Sequence, residues 1–273
     1  MPVDQVPPTI AGVTPTVCDL LHIPRPAQST ADAFTPLIEQ IKAQCGLARV
    51  DKCLIYAPDA LGTLFIRRHP EIFKAVLNNA PFAVEVCSML PPKTPVCFAS
   101  MFTGALPEAH GIKKPERPTL ACDTLFDAMI RAGKRPAIVA VKDSSCDLIF
   151  RNREMDYFSE EYDQQVTARA IELLRSDAHD LILAYHQEYD DSLHATTIEG
   201  DRSMAAAEHH VKSFVCLCQA FNTSWSRYDR LIVFAPDHGG HDERVTGHGT
   251  HGEDIPEDML VTHCFGAYPA STR

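Results

Sequence analysis

The sequence predicts an α/β protein in which a central, mainly parallel β-sheet is flanked by helices. Two observations lead there. Short apolar runs at 53–57, 137–141, 181–185 and 231–235 have the length and the Val, Ile and Leu content of buried strands. Between and around them lie helical patterns at 124–132, 166–174 and 205–220, and strands that alternate with helices pair in parallel through crossovers.

The elements follow in order. Residues 1–30 carry many prolines and are expected to form an extended N-terminal arm over the surface, ahead of a single domain at 31–273. The stretch 31–45 sets Phe34, Leu37, Ile38 and Ile41 at helical spacing, an amphipathic helix. The run at 53–57 stops at Pro58, where a buried strand would end. No internal repeat or low-complexity tract interrupts the pattern.

Composition narrows the function. With 273 residues and 45% apolar content the chain can bury a full core. Its 36 acidic residues against 25 basic ones give a net charge of -11, which argues against a nucleic-acid polymer as partner. An acidic protein can still hold phosphate when metal ions supply the positive charge. No apolar run is long enough to cross a membrane, and MPVDQVPPTIAGV is too polar for a secretory segment. The ten cysteines are scattered without a CxxC pair, so they are expected to be reduced and mostly buried, in a cytoplasmic protein. No feature of the sequence encodes an oligomeric state.

The polar residues at the strand ends carry the chemistry. Asp59 follows the first run directly, Asp190 and His194 come shortly after the third, and Asp237 and His238 come just after the fourth. Ligands of open α/β sheets bind beyond the carboxyl ends of the strands. Carboxylate and neutral imidazole suit zinc or manganese, and two such ions can clamp the attacking and leaving oxygens of a phosphoryl group. A fourth segment, GHGTHGEDIPEDM, adds His251. Taken singly, Asp59 reads as a turn or cap residue and each histidine as a surface or core residue. Four such segments at strand ends or Gly-rich loops make a metal site the better reading. The segment PPKTPVCFASMFTGALPEAHGI is punctuated by prolines and reads as a loop, with Thr94 a loop threonine by itself.

Together these residues resemble the alkaline phosphatase superfamily, most closely its nucleotide pyrophosphatase/phosphodiesterase-like branch, from about Asp59 to Gly266. In that branch a Thr or Ser lies nine residues before the Thr of a TG dipeptide that leads into PxxHGI. Here Thr94 lies nine residues before Thr103, and Gly104, Pro107, His110, Gly111 and Ile112 follow in place. The D-x-x-x-H element matches Asp190 and His194, the DHG element matches Asp237, His238 and Gly239, and the late HG matches His251 and Gly252 before Pro256-Glu257-Asp258. The resemblance implies one metal held by Asp190, His194 and His251, and a second held by Asp59, Thr94, Asp237 and His238. It implies in-line attack by Thr94, a covalent phospho-threonine and its hydrolysis by metal-bound water.

The departures from the pattern are informative. Where the branch has an Asn soon after HGI, this chain reads HGIKKPERP, with Lys113 and Lys114. The glycine of D-x-x-G-H is missing, which leaves Asp191 as a competitor to Asp190. VAVKDSS resembles the Lys-Asp segment of phosphonoacetate hydrolases, making Lys142 a candidate substrate contact, with Ser144 where their second lysine stands. His241 and His248 sit beside the ligands but have no counterpart among them. The large inserted domain of the superfamily's phosphoglycerate mutases has no room here. The pocket wall is expected from 115–117, 151–158 and 241–248.

The expected function is hydrolysis of a phosphodiester or pyrophosphate bond in a small phosphorylated molecule, using two divalent ions, Zn2+ first and Mn2+ second. The alternatives are a phosphomonoesterase or phosphonate hydrolase of the same superfamily, or a non-catalytic binder of metal and a phosphorylated ligand.

Overall fold

The computed structural model describes residues 7–271. Among the described residues there are nine strands: β1 (Lys52–Pro58), β2 (Phe82–Cys87), β3 (Pro136–Val141), β4 (Asp156–Glu160), β5 (Leu181–His186), β6 (Arg230–Phe234), β7 (His241–Asp242), β8 (Gly249–Thr250) and β9 (Leu260–Tyr268). Seven form one sheet in the order β2-β9-β6-β1-β5-β3-β4, while β7 and β8 make a small hairpin. Within the large sheet β9 runs antiparallel to both neighbours and every other pairing is parallel.

The helices are α1 (Val13–Leu21), α2 (Thr35–Cys45), α3 (Thr63–Arg68), α4 (Pro70–Asn79), α5 (Thr94–Thr103), α6 (Pro107–His110), α7 (Leu125–Arg131), α8 (Ser145–Leu148), α9 (Asp163–Ser176), α10 (Glu188–Ala195), α11 (Asp201–Ser224) and α12 (Pro256–Met259). None is long and apolar enough to cross a membrane among the described residues.

Strands β1, β3, β5 and β6 are buried along their whole length. Helices cover both faces of such strands, so both sets of side chains must be apolar. These are the four runs that the sequence marks. The edge strands β2 and β4 mix exposed and buried positions and give no continuous run. Strand β9 is hidden in the sequence by His263, which is fully buried and donates from Nε2 to the Pro236 carbonyl at 2.8 Å.

Three expectations need correction. Of the expected N-terminal arm, residues 1–6 lie outside the described residues, and the part from Ile10 to Leu21 is not extended over the surface: Ile10–Gly12 forms a 3-10 turn and α1 follows it, with nearly every side chain buried. Val13, Val17, Cys18 and Leu20 supply enough apolar surface for a helix to pack inward, and Thr14 Oγ1 ties it to the Met101 carbonyl at 2.7 Å. Helix α2 begins at Thr35 rather than residue 31, because Pro36 suits a first helical turn and Phe34 packs edge-on against Phe265 at 6.1 Å. The Thr94 segment is a helix rather than a loop. Pro95–Thr103 is buried on every side, so it lacks the polar face that betrays a surface helix.

All ten cysteines are free. Cross-links therefore contribute nothing to stability, which rests on the apolar core around the sheet.

Candidate active site

The carboxyl ends of the parallel strands converge at one edge of the sheet. Asp59 is the first residue after β1, and its N–H donates to the His186 carbonyl at the end of β5. Asp190 and His194 are four apart on α10, so both lie on one helix face. Asp237 and His238 follow β6 in a buried turn, and His251 follows β8. Thr94 is the first residue of α5; Pro95 has no N–H and the Val96 and Cys97 N–H groups bond the Lys93 carbonyl, which leaves the Thr94 N–H at the helix start, where the dipole favours an anion. Because β9 runs opposite to its neighbours, α12 at its start lies at this same edge.

These side chains form two groups, Asp59 with Asp237 and His238, and Asp190 with His194 and His251. In the first, His238 Nε2 stands 3.4 Å from Asp59 Oδ1 and 3.3 Å from Asp237 Oδ2, and Thr94 Oγ1 is 3.4 Å from the same nitrogen. In the second, Asp190 Oδ1 is 3.4 Å from Nε2 of both His194 and His251. Rings join the two groups, with His238 stacked on His251 at 4.0 Å between centroids.

The donor chemistry fits a cation in each group. His194 directs Nδ1 at the Gly249 carbonyl (3.1 Å), His238 at that of Gly239 (2.9 Å) and His251 at that of Pro92 (2.7 Å). A carbonyl only accepts, so each ring carries its proton on Nδ1 and turns the Nε2 lone pair inward. Facing those lone pairs are Asp59 Oδ1, Asp190 Oδ1 and Asp237 Oδ2, three buried oxygens without a hydrogen-bond partner. Buried acceptors are rarely left unpaired, and opposing lone pairs repel. Atoms bound at ~2.1 Å to one tetrahedral ion lie ~3.4 Å from one another, close to the spacings found here.

The second oxygens of the first group are held in place. Tyr185 donates to Asp59 Oδ2 at 2.5 Å, and the Ala60 N–H donates to Asp237 Oδ1 at 3.2 Å. Ala60 itself has a φ of 64°, a backbone strain that aims this N–H. Gly239 is required by close approach to backbone, and Gly252 by its φ of 126°. A Cβ on Gly239 would fall 2.0 Å from the Glu257 carbonyl oxygen, and one on Gly252 would meet Lys93 Cε at 2.6 Å.

Burial, and then the neighbouring Asp190 charge, holds the Asp59 carboxyl well above the usual carboxylate range. Burial and the Asp59 charge do the same to Asp237. Asp190 is pushed up to about 8 by burial, with Asp237 and Asp191 adding to it. Burial lowers His238 to about 3 and also lowers His194 and His251. Without cations the pocket thus favours neutral acids and neutral imidazoles.

A cleft of about 220 Å³ opens beside these groups, lined by Asp59, Thr94, Arg117, Ser144, Gln187 and Asp190 among others. Of the expected wall, Pro115 and Arg117 line it, whereas nothing from 151–158 or 241–248 does. Arg151 and Arg153 line a separate hollow, and His241–Val245 another. Lys142 is exposed and is not among the lining residues, while Ser144 and Ser145, just beyond it, are. Lys113 and Lys114 are exposed and do not line it either. Arg117 is the one cation lining the cleft, and it donates to the Asp143 carbonyl.

The remaining motif residues sort themselves by their bonds. Asp191 accepts from Tyr162 and Gln187 and stays outside both groups. His110 is structural: its Nδ1 accepts from the Ile112 N–H and its Nε2 meets Ser100 Oγ at 2.8 Å. His241 bonds Asp258, and His248 is exposed. Tyr185 and Lys93 escaped sequence reasoning, and Asp258 figures there only in the Pro256-Glu257-Asp258 match, without a role. Tyr185 ends an apolar run and Lys93 precedes Thr94, where each looks ordinary. Lys93 Nζ donates to the His251 carbonyl at 2.5 Å.

A third group, Asp163, His186 and His210, has comparable spacing. Its chemistry differs. His210 Nε2 accepts the Tyr189 N–H at 3.1 Å, so the ring proton sits on Nδ1, the atom that would have to bind an ion. Asp163 accepts from the Gln187 and Glu188 N–H groups, Tyr56 bridges both rings, and Thr167 meets His186 Nε2. This network is satisfied by hydrogen bonds and braces the start of α10.

The architecture is the alkaline-phosphatase-like α/β fold. Among solved structures the chain is similar to phosphonoacetate hydrolase from Sinorhizobium meliloti in complex with phosphonoformate, with a TM-score of 0.52 and 16% identity over 72% of this chain and 58% of that one. It is also similar to murine ectonucleotide pyrophosphatase/phosphodiesterase 5, an inactive form in complex with AMP, with a TM-score of 0.56 and 16% identity over 72% of this chain and 59% of that one. The human counterpart gives a TM-score of 0.56 and 16% identity over 70% and 57%. The chain thus spans less than two thirds of the length of these neighbours. No family model matches it, and no curated protein does.

Proposed function

We propose that this protein is a two-metal hydrolase that cleaves a phosphodiester or pyrophosphate bond in a small molecule, with Thr94 as nucleophile. One observation carries the reading: three unpartnered buried carboxylate oxygens face three imidazole Nε2 lone pairs beside the hydroxyl of Thr94. Asp190, His194 and His251 would hold one divalent ion, and Asp59, Thr94, Asp237 and His238 the other, zinc before manganese. When bound, the two ions would supply positive charge to the phosphoryl oxygens and lower the pKa of the threonine hydroxyl.

The chain's own residues do the rest. The Thr94 N–H at the start of α5 would donate to the anion, and the helix dipole favours negative charge there. Thr94 Oγ, its proton given up to solvent, attacks phosphorus in line with the leaving oxygen; the bond to that oxygen breaks, that oxygen takes up a proton from solvent and a phospho-threonine forms. Water then attacks phosphorus on the same line, releasing phosphate or a monoester and regenerating the hydroxyl. Tyr185 orients Asp59 throughout, and Lys93 steadies the backbone of His251.

A second reading has its own support. The cleft of about 220 Å³ is small, and Arg117 lines it where a second anionic group of the substrate could rest. A compact phosphonate or monoester would fit that arrangement.

The test is turnover of bis(p-nitrophenyl) phosphate, p-nitrophenyl phosphate and phosphonoacetate by metal-stripped protein reloaded with zinc or manganese. Diester preference, lost by about 10³-fold or more in Thr94→Ala with metals retained, supports the first reading. Preference for either of the other substrates moves the assignment to the second. Full activity in Thr94→Ala would refute the nucleophile. Metals bound without turnover of any of the three would favour a non-catalytic binder.

A further inference from the structure

Asp258 has no exposed surface and lies in no cluster of ligands, yet it touches the backbone behind both metal groups. Its Oδ2 accepts the N–H groups of Gly252 (2.7 Å) and Glu253 (2.9 Å), immediately after His251. Its Oδ1 meets His241 Nδ1 at 2.8 Å. Its own carbonyl accepts the Gly239 N–H at 2.9 Å, immediately after His238. The next residue extends the bracket, since the Met259 carbonyl accepts the Ser88 N–H at 2.7 Å, and Ser88 Oγ donates to the Asp237 carbonyl at 2.7 Å.

A buried carboxylate is costly unless its oxygens are filled, and here three donors fill them. All of these donors belong to the loops that deliver His238 and His251. We propose that Asp258 is a positioning residue that sets the geometry of both metal groups before any metal arrives, its carboxylate clamping the backbone after His251 and the His241 ring of the loop that follows His238. The proposal rests on the two-metal reading. It does not make Asp258 a ligand, because neither oxygen is free.

The geometry has a consequence that separates Asp258 from the ligands. Loss of a ligand should weaken the group to which it belongs. Loss of the carboxylate should weaken both, because it holds the loop after His251 through Gly252 and Glu253 and the loop after His238 through His241, while the Gly239 bond to the Asp258 carbonyl remains. Removing partners that orient ligands commonly costs about 10–100-fold in metal affinity. An amide at 258 can preserve the bracket: its oxygen can take the Gly252 and Glu253 N–H groups while its NH₂ donates to His241 in the other tautomer.

The experiment is calorimetric titration of metal-free wild type, Asp258→Ala and Asp258→Asn with zinc, alongside the visible spectrum of the cobalt forms. We expect Asp258→Ala to bind both ions about 10–100-fold more weakly with altered cobalt bands. Asp258→Asn should stay within a few-fold of wild type and keep its spectrum. Wild-type affinity at both groups in Asp258→Ala, or weakening of one group alone, would overturn the proposal.

Amide hydrogen exchange of metal-free wild type decides the matter if Asp258→Ala does not fold. Slow exchange at Gly239, Gly252 and Glu253 without metal is expected. Exchange at the free-peptide rate until zinc is added would mean that the metal, not Asp258, orders these loops. Failure of wild type to bind zinc at all would refute the two-metal reading instead, and the exchange measurement would still decide whether the bracket exists.

Discussion

His251 Nε2 and Asp190 Oδ1 face each other at 3.4 Å across the sheet edge, although they stand 61 positions apart in the chain. The imidazole proton is committed to the Pro92 carbonyl and the carboxyl oxygen has no donor, so once Asp190 is ionised two acceptors point into one gap. The same opposition recurs between His238 and Asp237 at 3.3 Å.

The number of bound ions follows from this contrast in hydrogen bonding. Dialysed protein loaded with zinc should hold two ions per chain by elemental analysis, and His210→Ala should leave that number unchanged. The Asp163, His186 and His210 network is already satisfied, and His210 keeps its proton on the atom that would bind. A third tightly held ion, lost in His210→Ala, would contradict this.

Metal binding should release protons. Asp190 has its pKa raised to about 8, and those of Asp59 and Asp237 are raised as well, so in metal-free protein at pH 7 these carboxyls favour the neutral form. A cation binds only the anionic form, so apparent affinity should rise with pH up to about 8 and then level for Asp190. The lowered histidines are already neutral at pH 7 and release nothing. Calorimetry in two buffers of different ionisation enthalpy at pH 7 should show about one proton or more released per chain. Affinity that does not change between pH 6 and 8 would rule this account out.

Tyr185→Phe removes one hydroxyl and little volume. Asp59 Oδ2 loses its donor, and the carboxylate is free to rotate away from His238. Zinc affinity of the Asp59 group should fall about 10-fold or more, while the Asp190 group stays within a few-fold. Equal weakening of both groups, or of neither, would show that Tyr185 does not orient Asp59.

Substrate selection should run through Arg117 and not Lys142. Arg117→Met is expected to raise KM about 10–100-fold for substrates that carry a second anionic group, with kcat kept, since a charged hydrogen bond contributes about 1.5–3 kcal/mol. Lys142 is exposed and outside the cleft lining, so Lys142→Met should change KM less than about 2-fold. The reverse ranking in steady-state kinetics would place the substrate against a different wall.

The sequence by itself determined the four inner strands and the residues that follow them. Strands β1, β3, β5 and β6 must be apolar on both faces, and an Asp or Asp-His set immediately beyond such a run is carried to the sheet edge by local geometry alone. Tertiary structure decided what long-range contacts decide. Helix α5 shows no helical periodicity because every face of it is buried. Helix α1 leaves the surface because an apolar core is there to receive it. The Arg117 wall and the Asp258 bracket depend on loops distant in the chain, and Asp258 reaches the sheet edge only because β9 runs against its neighbours. Periodicity records which faces of an element meet water; it carries no information on which elements meet each other.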